Sequence, residues 1–143
     1  MTVIRDIMSQ PAIAVRPEAT LAEAVEILTQ HRIGGVPVVA ADGTLVGVIS
    51  EPELIDVVFD AAAKDAPVSQ YMTPDVQCVQ PGDPLSRAAK LFALHALRRL
   101  PVVEDGTLVG MVNCRDLMNH SLRSNELLTE PLLELIPELA QLS

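Results

Sequence analysis

One hexapeptide occurs twice in this chain of 143 residues, and it constrains the fold more than any other feature. Asp42–Gly43–Thr44–Leu45–Val46–Gly47 returns unchanged as Asp105–Gly106–Thr107–Leu108–Val109–Gly110. The flanks stay in step. Val36–Pro37–Val38–Val39 matches Leu100–Pro101–Val102–Val103, and upstream Met8–Ser9, Val15, Pro17 and Leu21 match Met72–Thr73, Val79, Pro81 and Leu85. The offset is 64 residues before the Asp-Gly turn and 63 after it, so the first copy carries one extra residue, Ala40 or Ala41. Self-similarity at such a period marks a duplicated supersecondary unit. The boundaries it sets are 1–63 for the first repeat, 64–121 for the second and 122–143 for a tail outside the repeat.

Each copy reads as the same string of elements. Ile13–Ala14–Val15 is a short strand stopped by Arg16–Pro17. Thr20 is an N-cap with Glu23 three residues on, the spacing of a capping box. Leu21, Ala24, Val25, Ile27 and Leu28 then mark one helical face up to about His31. Val36 to Val39 and Leu45 to Ile49 are strands joined at Asp42–Gly43, a hairpin turn. Glu51 to Asp60 is helical, with Pro52 in the first turn, where its missing N–H costs nothing. The second copy repeats the order, with a strand near Gln77–Val79, a helix from Leu85 to about Ala96, strands near 100–103 and 108–112, and a helix after Asn113. Apolar runs on both hairpin strands call for a sheet covered on both faces. A β-α-β-β-α unit of about 60 residues closes a core poorly alone. The expected fold is therefore α/β (α+β), with the two repeats packed by pseudo-twofold symmetry.

Composition narrows the function classes. There is no Trp, and Tyr71, Phe59 and Phe92 are the only aromatics, so the core must be aliphatic. The net charge of −9 is uneven: −6 over residues 1–63, zero over 64–120 and −3 over 121–143. Such a chain presents no basic face for duplex nucleic acid, and an anionic ligand must be small and held by local groups. No apolar run approaches the ~20 residues of a membrane span, and the first residues do not open a secretory signal. A soluble, cytoplasmic protein is expected. Cys78 and Cys114 lack a CxxC spacing, which suits small buried hydrophobes in a reducing compartment, with a disulfide or a metal site as the alternative.

The set Asp6–Ile7–Met8–Ser9, Val36–Pro37–Val38–Val39 and Gly43–Thr44–Leu45–Val46–Gly47–Val48–Ile49–Ser50 resembles the cystathionine-β-synthase (CBS) domain. Its duplicate resembles the usual tandem pair, the Bateman module, over roughly residues 3–121. The resemblance implies a disc-like pair with clefts between the repeats. There the family often binds AMP, ADP, ATP, S-adenosylmethionine or a similar adenosyl ligand, and NAD is a further possibility of that class. It implies a stand-alone regulatory module, a homodimer that signals to an effector protein, with no required cofactor and no catalysis. A dimerisation scaffold with non-binding clefts is the competing reading.

The resemblance also implies where a ligand would sit. The functional core of a repeat is Gly-φ-φ-[Ser/Thr]-x-x-[Asp/Asn], where the last strand meets the last helix. A carboxylate in the first helical turn can accept two hydrogen bonds from a ribose diol, while the hydroxyl and nearby N–H groups face phosphate. In the second copy this is Gly110–Met111–Val112–Asn113–Cys114–Arg115–Asp116. Asp116 takes the ribose position, Arg115 meets phosphate, and Asn113 stands where a hydroxyl is usual. In the first copy it is Gly47–Val48–Ile49–Ser50–Glu51–Pro52–Glu53. Ser50 fits, Glu53 is one methylene longer than Asp, Glu51 adds a second carboxylate, and Pro52 removes a donor. Arg98 and Arg99 precede the second hairpin where the first has Gly34–Gly35, and guanidinium suits phosphate. Val76, Gln77 and Pro101 complete the nucleotide-binding set. Ser-x-x-Glu and Asn-x-x-Asp serve equally well as plain helix N-caps. The expectation is one well-formed site built on Asp116 and the arginines, and one altered or empty site.

His31 and His95 end the matching helices and have no ligand-spaced Cys or carboxylate beside them, so no metal site is expected. No nucleophile elbow, Walker loop or dinucleotide fingerprint is present. In the tail, Leu128, Leu132, Leu135 and Leu139 follow at helical spacing opposite Glu130, Glu134 and Glu138. That pattern gives an acidic amphipathic helix that packs on its own domain or on a partner.

Overall fold

The computed structural model describes residues 2–10 and 13–124. The amphipathic pattern expected after Leu128 lies outside them. The chain forms two compact units, and each draws on both sequence repeats. One unit comprises residues 13–76 with 105–108; the other comprises, among the described residues, 2–10, 77–104 and 109–124.

In the unit built on residues 13–76, helix α1 (Leu21–His31) begins at Thr20, whose Oγ1 accepts from the Glu23 amide at 3.1 Å. Leu21, Ala24 and Leu28 bury its apolar face. The helix ends at Arg32, which adopts a left-handed φ of 54°. Strands β1 (Gly35–Val39) and β2 (Leu45–Ser50) form an antiparallel hairpin, with Val36 opposite Ile49 and Val38 opposite Gly47. The register then slips so that Val39 faces Leu45. Val36, Pro37 and Val38 are buried in succession, so both faces of β1 are covered. The strand expected at 13–15 reduces to one parallel bridge between Val15 and Val38, because Ile13 is exposed and Pro17 has no N–H to extend the ladder. The helix expected over 51–60 is interrupted at Ile55, giving α2 (Glu51–Leu54) and α3 (Asp56–Phe59). The Val58 amide there bonds to Ile55, three residues back rather than four.

The core of this unit is Val15, Leu21, Ala24, Leu28, Val36, Val38, Ile49, Leu54, Ala63 and Val68. It is aliphatic throughout. Each fully buried Val, Leu or Ile contributes about 1.5–3 kcal/mol of transfer free energy.

The second repeat follows the same plan with α4 (Leu85–His95), β3 (Arg99–Glu104), β4 (Thr107–Asn113) and α5 (Cys114–Ser124). Strands β3 and β4 pair, and Val79 bridges Val102 as Val15 bridges Val38. The strand expected near 77–79 again shrinks to that one bridge. Helix α4 also ends on a left-handed residue, Ala96, with φ 54°. The core is Ile4, Val79, Leu85, Ala88, Phe92, Leu100, Val102, Val112 and Leu117.

The membership of these cores shows an exchange. Ile4 opens the first sequence repeat but lies fully buried among second-repeat residues. Its amide donates to Asp83 O at 3.0 Å. Val68, its counterpart 64 residues on, is fully buried in the core of the first repeat and donates to Ala19 O at 2.7 Å. The leading segment of each repeat therefore completes the core of the other.

The identical hexapeptides make different turns. Asp105 and Gly106 both have positive φ, 52° and 81°, the dihedral signature of a two-residue type I′ hairpin. In the first copy the extra residue lengthens the loop. Gly43 N–H donates to Ala40 O, Ala40 N–H to Thr44 O, and only Gly43 is left-handed, at φ 92°. Asp42 instead accepts from the Thr44 amide at 3.0 Å. That bond holds its carboxyl below the usual carboxylate range.

Candidate functional site

Each repeat ends in a strand-to-helix junction, and the two junctions are built alike in the backbone. The Cys114 amide donates to Arg98 O at 2.9 Å, and the Glu51 amide donates to Gly34 O at 3.0 Å. The start of each terminal helix is thus tied to the residue that enters the hairpin. A glycine before each junction allows a close approach. A Cβ on Gly47 would come within 2.8 Å of Met72 Sδ and 2.9 Å of Thr73 O. One on Gly110 would come within 2.9 Å of both Met8 Sδ and Ser9 O.

The side chains diverge. At the second junction Asn113 Oδ1 accepts from the Arg115 amide at 2.9 Å, so its carbonyl is used as the cap of α5 and its NH2 can still donate. Buried Val112 and Leu117 pin the strand end and the helix, while Arg115 and Asp116 are exposed between them. Arg98 is exposed and Arg99 half-buried. Among the described residues the only ion pair is Arg87 with Asp83, at 3.4 Å. Arg98, Arg99 and Arg115 are therefore not spent on a carboxylate, and Asp116 has no internal partner there. Pro101 is buried in β3, where its carbonyl accepts from Val79 N–H at 3.0 Å. Gln77 is exposed two residues before that bridge.

At the first junction the polar groups satisfy one another. Ser50 Oγ donates to Glu53 Oε2 at 2.6 Å, and Thr73 Oγ1 donates to Glu53 Oε1 at 2.9 Å. The Glu51 carboxylate lies over Gly34, where a Cβ would meet Glu51 Oε1 at 2.8 Å. A side chain at position 34 such as Arg98 in the second repeat would displace it. Helix α2 spans only Glu51–Leu54, with Pro52 removing one N–H, whereas α5 runs for eleven residues. An anion gains little at so short a helix start.

The expected site residues thus fall into two groups. Ser50, Glu53 and Val76 belong to the unit of residues 13–76, with Val76 half-buried; Asn113, Arg115, Asp116, Arg98, Arg99, Pro101 and Gln77 belong to the other. Thr73 escaped the sequence reading, although its match to Ser9 in the repeat was visible. Ser9 Oγ lies 3.4 Å from Met111 O and engages no carboxylate.

Cys78 and Cys114 are free and half-buried. Burial pushes the Cys78 thiol above its ordinary range. Among the described residues no three His, Cys, Asp or Glu side chains converge as metal ligands, and no helix is long and apolar enough to cross a membrane.

A profile of the CBS domain matches this sequence twice, over residues 4–60 and 68–123. The chain is 34% identical over 128 residues to the CBS domain-containing protein YhcV of Bacillus subtilis, covering 88% of this chain and 89% of that protein. It is 32% identical over 113 residues to protein MJ1225 of Methanocaldococcus jannaschii, covering 79% of this chain but only 40% of that protein's length. Among solved structures, CBSX2 in complex with AMP superposes with a TM-score of 0.77 at 30% identity, covering 88% of this chain and 100% of that one. The CBS domain pair of protein MJ0100, in complex with 5′-methylthioadenosine and S-adenosyl-L-methionine, superposes with a TM-score of 0.72 at 26% identity, covering 88% and 98%.

Proposed function

Because the chain belongs to the CBS-domain family and carries two copies of the domain, we propose that it is a regulatory module that binds an adenosine-containing ligand and signals its occupancy to a partner protein. The observation that carries this reading is the second junction. Asp116 stands exposed with no internal partner at the start of α5, and the three arginines near that junction in sequence and backbone pairing are not neutralised by any acid among the described residues. A carboxylate of that kind can accept both hydroxyls of a ribose, and guanidinium forks match phosphate oxygens. CBSX2 and the MJ0100 pair, which share the fold, hold adenosine-containing ligands.

Asn113, Arg115, Arg98 and Arg99 complete the proposed site, with Pro101 in β3 and Gln77 two residues before the Val79 bridge. Binding and release of the ligand is the whole of the proposed chemistry. The signal then passes to an effector protein, and the module acts as a homodimer. The last helices of both repeats support the dimer. Ile55 and Phe59 are 53% and 83% exposed, and Met118 and Leu122, each 63 residues later, are 51% and 73% exposed. Each pair is an exposed apolar patch of the kind that a second copy of the chain can cover.

Thermal denaturation with and without AMP, ATP, NAD and S-adenosylmethionine tests the reading. A ligand at one hundred times its Kd adds about 2.7 kcal/mol to stability. Asp116→Ala should abolish the gain. No shift with any of these ligands, in protein shown to be ligand-free, would leave the scaffold reading in its place.

A further inference from the structure

We infer that Glu53 is a latch and not a ligand contact, and that Thr73 is the residue that commits it to that role. Both oxygens of the Glu53 carboxylate are occupied within the first repeat's own unit: Oε2 by the Ser50 hydroxyl at 2.6 Å and Oε1 by the Thr73 hydroxyl at 2.9 Å. A ribose diol needs those same two acceptors. The latch therefore uses the groups that a ligand would use.

Its mechanical effect follows from where the three residues sit. Ser50 ends β2, Glu53 lies in α2, and Thr73 lies on the segment that follows the 3₁₀ turn at Val68–Gln70. Thr73 already exchanges two backbone bonds with Val48, N to O at 2.8 Å and O from N at 2.9 Å. The hydroxyl adds a third tie, from the same segment to the helix. Glu suits this better than Asp, because the extra methylene carries the carboxylate to a hydroxyl 20 residues away in sequence. In the other unit Asp116 is shorter, and Ser9, the counterpart of Thr73, turns to the Met111 carbonyl instead. One junction is closed on itself and the other is left open.

Two measurements test this, the second of which rests on the function proposed above. In the absence of ligand, the unfolding equilibria of Thr73→Val, Glu53→Gln and the double variant form a cycle. A hydrogen bond to a charged group is stronger than one between neutral groups, and a bond open to solvent keeps only part of that strength. The expected coupling is about fivefold in the unfolding constant, recovered in Thr73→Ser, which keeps the hydroxyl. Coupling below twofold overturns the latch whatever the chain binds. Isothermal titration with AMP should then give one molecule per chain, with Thr73→Val leaving the Kd within twofold of the parent while lowering Tm. Two molecules per chain, or a tenfold weaker Kd in Thr73→Val, would show that the first junction takes ligand after all. No heat with AMP in any variant would remove AMP as the ligand of the proposed function, and the ligand-free cycle would still decide the latch.

Discussion

Gly110 lies directly against Met8, 102 residues away, so closely that a Cβ on the glycine would come within 2.9 Å of the Met8 sulfur. The Ser9 carbonyl is at the same 2.9 Å, and Ser9 and Met111 exchange backbone bonds at 2.8 and 3.1 Å. The leading segment of the chain is thereby laid onto the second hairpin, and the contact leaves no room for a side chain.

Gly110→Ala should therefore destabilise the protein by about 1–3 kcal/mol, the usual cost of overpacking. Met8→Ala should restore only part of the loss, because the flexible thioether can be removed but the Ser9 carbonyl cannot. Chemical denaturation of the three variants checks this. Full rescue by Met8→Ala would show that the backbone contact yields more readily than the packing implies.

Ala96 offers the opposite change. Its φ of 54° at the end of α4 is a conformation that costs an L-residue roughly 1–2 kcal/mol. Glycine avoids that cost but gives back about 0.4–1 kcal/mol through the entropy of the unfolded chain. Ala96→Gly should raise stability by about 0.5–1 kcal/mol, seen as a higher denaturation midpoint with an unchanged denaturant slope.

Asp42 predicts a pH dependence with a definite sign. The Thr44 amide lowers the Asp42 pKa in the folded state, so its contribution is present above the unfolded carboxylate pKa, about 3.9. The contribution is lost as pH falls through the lower folded value. The difference in Tm between the parent and Asp42→Ala should accordingly be constant from neutral pH to about 5 and shrink below about 4. A difference that grows on acidification would reverse the assignment. Asp105, in the same hexapeptide, makes a left-handed turn residue instead, so the two variants should not behave alike.

The exposed apolar pairs predict oligomeric state. Phe59→Glu and Leu122→Glu each place a charge on a face that is already exposed in the single chain, so neither should lower the stability of the monomer by more than ~0.5 kcal/mol. Both should shift a dimer to monomer in sedimentation or light scattering. A parent chain that is monomeric at tens of micromolar, or variants that remain dimeric, would place the interface elsewhere.

Much of the fold could be read from local chemistry. Thr20 and Glu23 announced the start of α1, and the Leu21, Ala24 and Leu28 spacing gave its buried face. Two Asp-Gly pairs marked two hairpins, and both appear. Such features are legible because caps, turns and amphipathic faces involve residues within four positions of one another. The candidate residues at the second junction were legible for the same reason, since Asn113 through Asp116 are contiguous. The state of Glu53 was not, because Thr73 stands 20 residues away, and no pattern in the sequence joins them.

The pairing of leading segments with hairpins was equally out of reach, and here the duplication itself is the cause. Met8–Ser9 and Met72–Thr73 are alike, as are Gly47 and Gly110, so by composition either segment fits either hairpin. By itself the sequence determined that there are two copies, what elements each contains and where their turns fall. Only the tertiary structure decided that Ile4 completes the second core and Val68 the first. That choice depends on where the chain can carry a buried side chain once the helices and hairpins are formed, and burial of that kind is a property of the packed molecule rather than of any stretch within it.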